Sequence, residues 1–341
     1  MASSMLDSKP ALSRHPPPGI PRHHRHIWAV ALVVWLAGLG VFEVVVRRHG
    51  FKVSREEPSA VSIRRAVDEI QPNDLVLIGA SEIMSAVDRE MLSAALHRRV
   101  RLLVVYGAIA NPLFEYLLQR RPDFRGQVIL TLTVTNFTNR AKVHEAKLRT
   151  VLESASKVTP SQTISEAITD WLADRFVFRN QQLDLHAEFL GEMHVKIENL
   201  AVTPTGERVA ALKSPEELRY HQAGWDHVNF TLDSEANNVR GATVGRAFSE
   251  LRARGGGGLL VYFPSIGGKQ AVEDRFPRQS AWNRLAADSG VPALRLDDDP
   301  ELMAVYKPQD GIHLDVETRR PFTRVFAKVL ERYGFAAGKD R

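Results

Sequence analysis

Apolar residues in this chain fall into two patterns. Some cluster in short, mostly apolar runs; others recur every third or fourth position. Asp74-Leu75-Val76-Leu77-Ile78 runs straight into Gly79, residues 100–106 run into Gly107, and residues 127–134 form a third run. Short, predominantly apolar runs of this length predict strands buried on both faces. Between them, residues 85–97 carry Val87, Met91, Leu92 and Leu96 on one helical stripe, and a helix opening at Asn111 carries Leu113, Tyr116, Leu117 and Leu118. The alternation resumes with a helix over 237–254, a strand over 259–263, a helix over 280–289, a strand over 293–296 and a closing helix over 316–333. Strands alternating with helices across short connections predict an α/β domain. The expected fold is a flavodoxin-like three-layer α/β/α arrangement, doubly wound around a five-stranded parallel sheet.

Three stretches stand outside this alternation. Residues 1–26 are rich in Pro, Ser, His and Arg, and such a composition buries little surface, so a disordered tail is expected. Residues 27–46 are apolar apart from Glu43. As a helix rising 1.5 Å per residue they cover about 30 Å, the depth of a bilayer core. An uncleaved transmembrane anchor is the favoured reading. A cleaved signal peptide is the rival, but the small residues Ala37-Gly38-Leu39-Gly40 lie inside the apolar run rather than after it. A buried soluble helix would show a polar face. Residues 47–73 follow as a stalk with a short helix marked by Ile63, Val67 and Ile70. The main domain spans 74–336 and is interrupted at 140–236 by a mostly helical insertion, in which Ile164, Ile168, Trp171, Leu172 and Phe176 form a stripe.

Charge narrows the partners. The 341 residues carry a formal net charge of +5, with both signs interspersed and no basic stripe among aromatics, so nucleic acid is not an expected partner. Lys9, Arg14, Arg22 and Arg25 before the apolar run balance Arg47, Arg48, Lys52 and Arg55 after it, so flanking charge does not choose an orientation. There is no cysteine, which excludes disulfides, thiolate metal sites and a cysteine nucleophile. His144, His186 and His194 lack metal-ligand spacing with a carboxylate partner, and neither a metal nor a cofactor is expected. The run Gly255-Gly256-Gly257-Gly258 follows a helix and precedes a strand, the reverse of a phosphate loop, and is expected to be a flexible turn. His221 and Trp225-Asp226-His227 read as a solvated loop, with a sugar site as the alternative.

Parallel sheets bind ligands at the carboxyl ends of their strands. Ser81 follows the first strand there, Gly107 the second and Asn136 the third; Asp310-Gly311-Ile312-His313 precedes the closing helix. A serine hydroxyl becomes a nucleophile when an imidazole takes its proton, and a carboxylate fixes the tautomer of that imidazole. Each residue also has a plainer reading. Ser81 or Ser85 would suit a helix N-cap, Asp310 beside Gly311 a turn, Gly107 a strand-end turn, His313 a surface turn and Asn136 an ordinary loop.

In this order the residues resemble the SGNH (GDSL-like) hydrolase superfamily over roughly 74–137 and 257–333. The stretches LIGASEIMSAVD and DGIHLDVETRRPFTRVFAKVL are most similar to its membrane-anchored bacterial branch, which includes proteins of polysaccharide O-acetylation and of D-alanyl transfer to cell-wall polymers. The resemblance implies Ser81 as nucleophile, His313 as base, Asp310 as its partner, and Gly107 and Asn136 in the oxyanion hole. Gly79-Ala80-Ser81 stands where the family commonly has Gly-Asp-Ser, and the usual Asn-x-Asp is absent around Asn136. The implied activity is that of an esterase or O-acyltransferase acting on an ester-bearing envelope polysaccharide, anchored in the inner membrane with its domain outside the cytoplasm. Transfer would require a separate multi-span membrane protein to supply acyl groups. The competing class is a non-catalytic SGNH-like scaffold or glycan-binding protein of an envelope assembly.

Overall fold

The computed structural model describes residues 22–48, 59–105, 107, 109–173, 175–176, 200–202, 208–210, 231–267, 270–274 and 278–336. It divides into two units, Met1–Lys52 and Val53–Arg341. In the first unit, α1 (Arg22–Arg48) overruns the apolar stretch at both ends. Its segment His26–Val45 is long and apolar enough to cross a membrane. Glu43, the one acid in that segment, pairs with Arg47 a turn later at 2.7 Å. The expected disordered tail lies outside the described residues as far as residue 21, and residues 22–26 form the first turn of α1.

The second unit opens with α2 (Ala60–Asp68) and β1 (Leu75–Gly79), followed by α3 (Ser81–Ala86), α4 (Arg89–Ala95), β2 (Val100–Val104), α5 (Ala110–Arg120) and β3 (Gln127–Leu132). Next come α6 (Arg140–Ser156), α7 (Pro160–Ala173), β4 (Leu200–Val202), β5 (Arg208–Ala210), α8 (Ser234–Ala253) and β6 (Gly257–Tyr262). The remainder comprises α9 (Gln270–Glu273), α10 (Arg284–Ser289), β7 (Ala293–Arg295), α11 (Pro300–Val305) and α12 (Val316–Arg332). Five strands form one sheet in the order β2-β1-β3-β6-β7, and every neighbouring pair is parallel. This is the flavodoxin-like order. Its switch point lies between β1 and β3, where connections leave in opposite directions and a crevice opens at the carboxyl edge.

Both faces of the sheet are covered, which explains why its strands are predominantly apolar. Val76 and Ile78 of β1 point into one core with Leu113, Phe114, Leu117, Phe248 and Trp282. Leu75 and Leu77, one residue out of phase, point into the other with Ile83, Leu92, Phe322, Phe326 and Leu330. Ile63, Val67 and Ile70 belong to the first core. The part of the expected stalk that forms α2 is therefore packed body rather than spacer.

Other boundaries move for identifiable reasons. The expected helix over 85–97 is two helices, because Asp88 takes an extended conformation and caps α4 by accepting from the Met91 amide. The glycine run is only half a turn: Gly255 is left-handed at φ 88°, whereas Gly257 and Gly258 belong to β6. A Cβ on Gly258 would sit 2.1 Å from the Phe248 ring, so glycine lets α8 pack down on the strand. Within the expected insertion, α6 buries Leu148 and Leu152. On α7, Ile164, Ile168 and Trp171 are exposed, and Phe176 lies beyond its end. β4 and β5 form a separate antiparallel pair. His186, His194, His221 and Trp225-Asp226-His227 lie outside the described residues.

Candidate active site

Where β1 meets α3 the chain turns sharply. A Cβ on Gly79 would lie 1.9 Å from Thr131 Oγ1 and 2.8 Å from Ile83 Cγ2, so only glycine fits. Ala80 occupies the N-cap position and supplies no side-chain cap. The next residue but one closes the corner: the buried Glu82 carboxylate accepts from the Ala80 amide at 3.1 Å and from the Thr131 hydroxyl at 2.9 Å. Ser81 is the first residue of α3 and does not act as its cap. Ser85 Oγ donates to the Glu82 carbonyl within the helix, so it is not the cap either.

Ser81 Oγ lies 2.7 Å from His313 Nε2, and His313 Nδ1 lies 2.7 Å from Asp310 Oδ2. A carboxylate oxygen facing Nδ1 assigns the proton to that nitrogen and leaves Nε2 to accept from the serine hydroxyl. The other Asp310 oxygen accepts from the amides of Ile312 at 3.1 Å and His313 at 2.8 Å. Asp310 is thus both a turn-forming Asp and the partner of the imidazole. Gly311 has φ 87°, a conformation that favours glycine, and this lets the turn close within four residues. The Asp310 side chain is 3% exposed and that of His313 19%, so the pair is screened from water on the acid side.

The spacing between Ser81 and His313 is set by α12. Asp315 caps that helix by accepting from the Glu317 and Thr318 amides, which fixes the chain direction just past His313. One turn along, Arg319 donates to the Val87 carbonyl, and Thr323 Oγ1 accepts from the Asp88 amide at 3.0 Å. Val87 and Asp88 directly follow α3, the helix that begins at Ser81. These polar bonds therefore join the segment just after the serine's helix to the helix just after His313, in addition to the aromatic packing of Phe322.

Gly107 and Asn136 sit past the carboxyl ends of β2 and β3, the two strands that flank β1. Gly107 is exposed with φ 63°. Asn136 is buried in a 3₁₀ turn, and its Oδ1 accepts from the Thr133 amide at 2.8 Å. That bond occupies the oxygen end of the amide. Arg240, itself buried, holds the turn from outside by donating to the Asn136 carbonyl at 3.0 Å. On α6, burial first, then Lys147 and Arg140, pushes the His144 imidazole below its ordinary range. Among the described residues no group of three His, Cys, Asp or Glu side chains is arranged to hold a metal ion.

The sequence pattern alone does not point to Glu82, Thr131, Arg319 or Thr323. Their only trace is a polar residue where the pattern calls for an apolar one. Thr131 interrupts the run QVILTL, and Arg319 and Thr323 lie on the face of α12 that also carries Phe322 and Phe326.

No protein-family model matches this chain, and no curated protein sequence matches it. Among solved structures, an acetyl xylan esterase from the rumen bacterium Butyrivibrio proteoclasticus overlaps it with a TM-score of 0.33 and 10% identity, over 78% of this chain and 66% of the other. The chain thus spans just under two thirds of that protein's length, and a likeness this distant carries no argument about chemistry.

Proposed function

We propose that the chain is a membrane-anchored serine esterase or O-acyltransferase of the SGNH type, acting on an ester-bearing envelope polysaccharide through an acyl-enzyme at Ser81. The observation that carries this reading is the unbroken relay Ser81–His313–Asp310, 2.7 Å at each link. The resemblance of the two motif stretches supplies the substrate class.

In the proposed reaction Ser81 Oγ attacks the ester carbonyl carbon as its proton passes to His313 Nε2. The tetrahedral oxyanion collapses and the C–O bond to the sugar breaks. The departing alkoxide takes the proton from His313, leaving an acyl group on Ser81. A second hydroxyl group then gives its proton to His313 and attacks the acyl carbon; the acyl bond to Ser81 Oγ breaks, and the serine oxygen takes that proton back from His313. Water in that role makes the enzyme a hydrolase, and a sugar hydroxyl makes it a transferase. Transfer requires a multi-span membrane partner to deliver acyl groups. Segment 27–46 anchors the chain in the inner membrane, with the body outside the cytoplasm.

A fluorophosphonate probe tests the reading on the detergent-solubilised full chain. One adduct, mapped by mass spectrometry to Ser81 and absent from His313→Ala, is the expected result. A folded protein that takes no adduct would favour the non-catalytic scaffold.

Gly107 and Asn136 are the proposed oxyanion donors, through the backbone amide of the first and the side-chain amide of the second. Asn136→Asp separates the two jobs of that side chain. It keeps an oxygen for the Thr133 amide but loses the NH₂ group and adds a charge. Turnover of p-nitrophenyl acetate should fall by about 10²–10³-fold with little change in the denaturation midpoint. An equal loss of stability and turnover would mean that the residue only holds the turn.

A further inference from the structure

A polar cluster at the carboxyl ends of β6 and β7 takes no part in the proposed relay, yet is linked through residues 264–266 to the turn that carries Asp310 and His313. It lines a cavity of about 400 Å³ beside Phe137 and Trp282. At its centre is Glu273, the last residue of α9. Its carboxylate accepts from the Ser265 amide, from the Tyr262 hydroxyl and, at 3.4 Å, from Arg295. Arg295 is fixed in turn by Asp297 at 2.7 Å and lies over the Tyr262 ring, 4.2 Å from its centroid.

Ser265 is the middle of three residues that fasten the Asp310–His313 turn. Ile266 donates its amide to the Gly311 carbonyl at 3.0 Å. The Pro264 carbonyl lies 3.2 Å from the Tyr306 hydroxyl, which stands at the same distance from the Ile312 carbonyl. Gly311 and Ile312 are the two central residues of the turn that aims Asp310 at His313. A single carboxylate therefore grips the loop that holds both of them from behind. Burial pushes the Glu273 carboxyl above its ordinary range, so keeping a charge there is costly. An apolar side chain would fill the space without that cost, but it would leave the Ser265 amide without its acceptor.

We propose that Glu273 is a positioning residue: through Ser265 and Ile266 it fixes the Gly311 carbonyl, and so the aim of the Asp310–His313 pair. Glu273 touches neither Ser81 nor His313 in this scheme. The inference rests on the proposed relay for its effect on rate, but not for its effect on the geometry of the turn.

The test compares Glu273→Ala and Glu273→Gln in the detergent-solubilised full chain. The first readout is the rate of fluorophosphonate labelling at Ser81. The second is the proton resonance on His313 Nδ1, which reports the bond to Asp310 whether or not the serine reacts. Glu273→Ala should label about tenfold more slowly and shift that resonance, because small displacements of reacting groups are expensive in rate. Glu273→Gln still offers an oxygen to the Ser265 amide and should stay within about threefold of the unaltered chain. Glu273→Asp, one methylene shorter, keeps the charge near Arg295 but retreats from Ser265. It should behave like Glu273→Ala, and it stands in if that variant fails to fold. Wild-type labelling and an unmoved resonance in folded Glu273→Ala would overturn the inference. If the unaltered chain takes no label, the proposed relay fails instead, and the resonance alone decides the role of Glu273.

Discussion

Ser81→Ala should lower turnover of p-nitrophenyl acetate by about 10⁴-fold or more, His313→Ala should cost a similar factor, and the double variant should lose little beyond either single one. The reason is that under the proposed reaction the two side chains act as one device. Without the imidazole the hydroxyl keeps its proton, and without the hydroxyl the imidazole has nothing to activate. Asp310→Asn is the sharper probe. It preserves the oxygen that accepts from the Ile312 and His313 amides, so the turn should survive. It also presents an NH₂ group to His313 Nδ1, which drives the ring proton to Nε2 and removes the acceptor facing Ser81. A loss of about 10⁴-fold with unchanged stability is expected. Losses that simply multiply in the Ser81/His313 double variant would show that the groups act independently, and the relay would have to be abandoned.

Gly79→Ala should be among the most destabilising single-methyl additions in the chain, by about 3 kcal/mol, read from the midpoint of denaturant unfolding. Overpacking of a close-packed core costs ~1–3 kcal/mol, and a displaced buried hydrogen bond adds ~1–3 kcal/mol. Both apply here. The new methyl would lie 1.9 Å from Thr131 Oγ1, and moving that hydroxyl breaks its 2.9 Å bond to Glu82. Glu82 in turn accepts from the Ala80 amide, so the disturbance reaches the residue before Ser81. Thr131→Ala in the same chain deletes the clashing oxygen. The Gly79→Ala/Thr131→Ala variant should therefore be more stable than Gly79→Ala alone, even though Thr131→Ala by itself is destabilising. Strictly additive costs would refute the steric explanation.

The parts of the fold legible in the sequence are those set by burial alone. β1, β2 and β3 were readable because strands covered on both faces are mostly apolar, and the end of such a run is visible. The ends of β2 and β3 fall two residues short of the apolar runs, because Val105 and Val134 stay apolar after leaving the sheet. What stayed hidden depends on side chains meeting from distant parts of the chain. Nothing local to Asp88 announces that its amide will meet Thr323, and nothing local to Glu273 announces Ser265 and Arg295. The same holds for the start of β6: Gly257 and Gly258 resemble loop residues until Phe248 is seen occupying the space where a Cβ would be. The candidate site was legible because each of its members follows a strand or precedes a helix, places where polar residues have few structural reasons to gather.

Ser81 and His313 are separated by 232 positions, and the bonds that set their spacing come from α12. Under the proposed reaction this makes activity a late event in the life of each molecule. A ribosome that has finished β1 through β7 has made a nucleophile with no base, so the nascent chain is as inert toward esters as any surface serine. Only when the segment carrying Asp310, His313 and α12 docks does the hydroxyl acquire its proton acceptor. Under the same proposal, a chain anchored by α1 enters its membrane before its serine is armed.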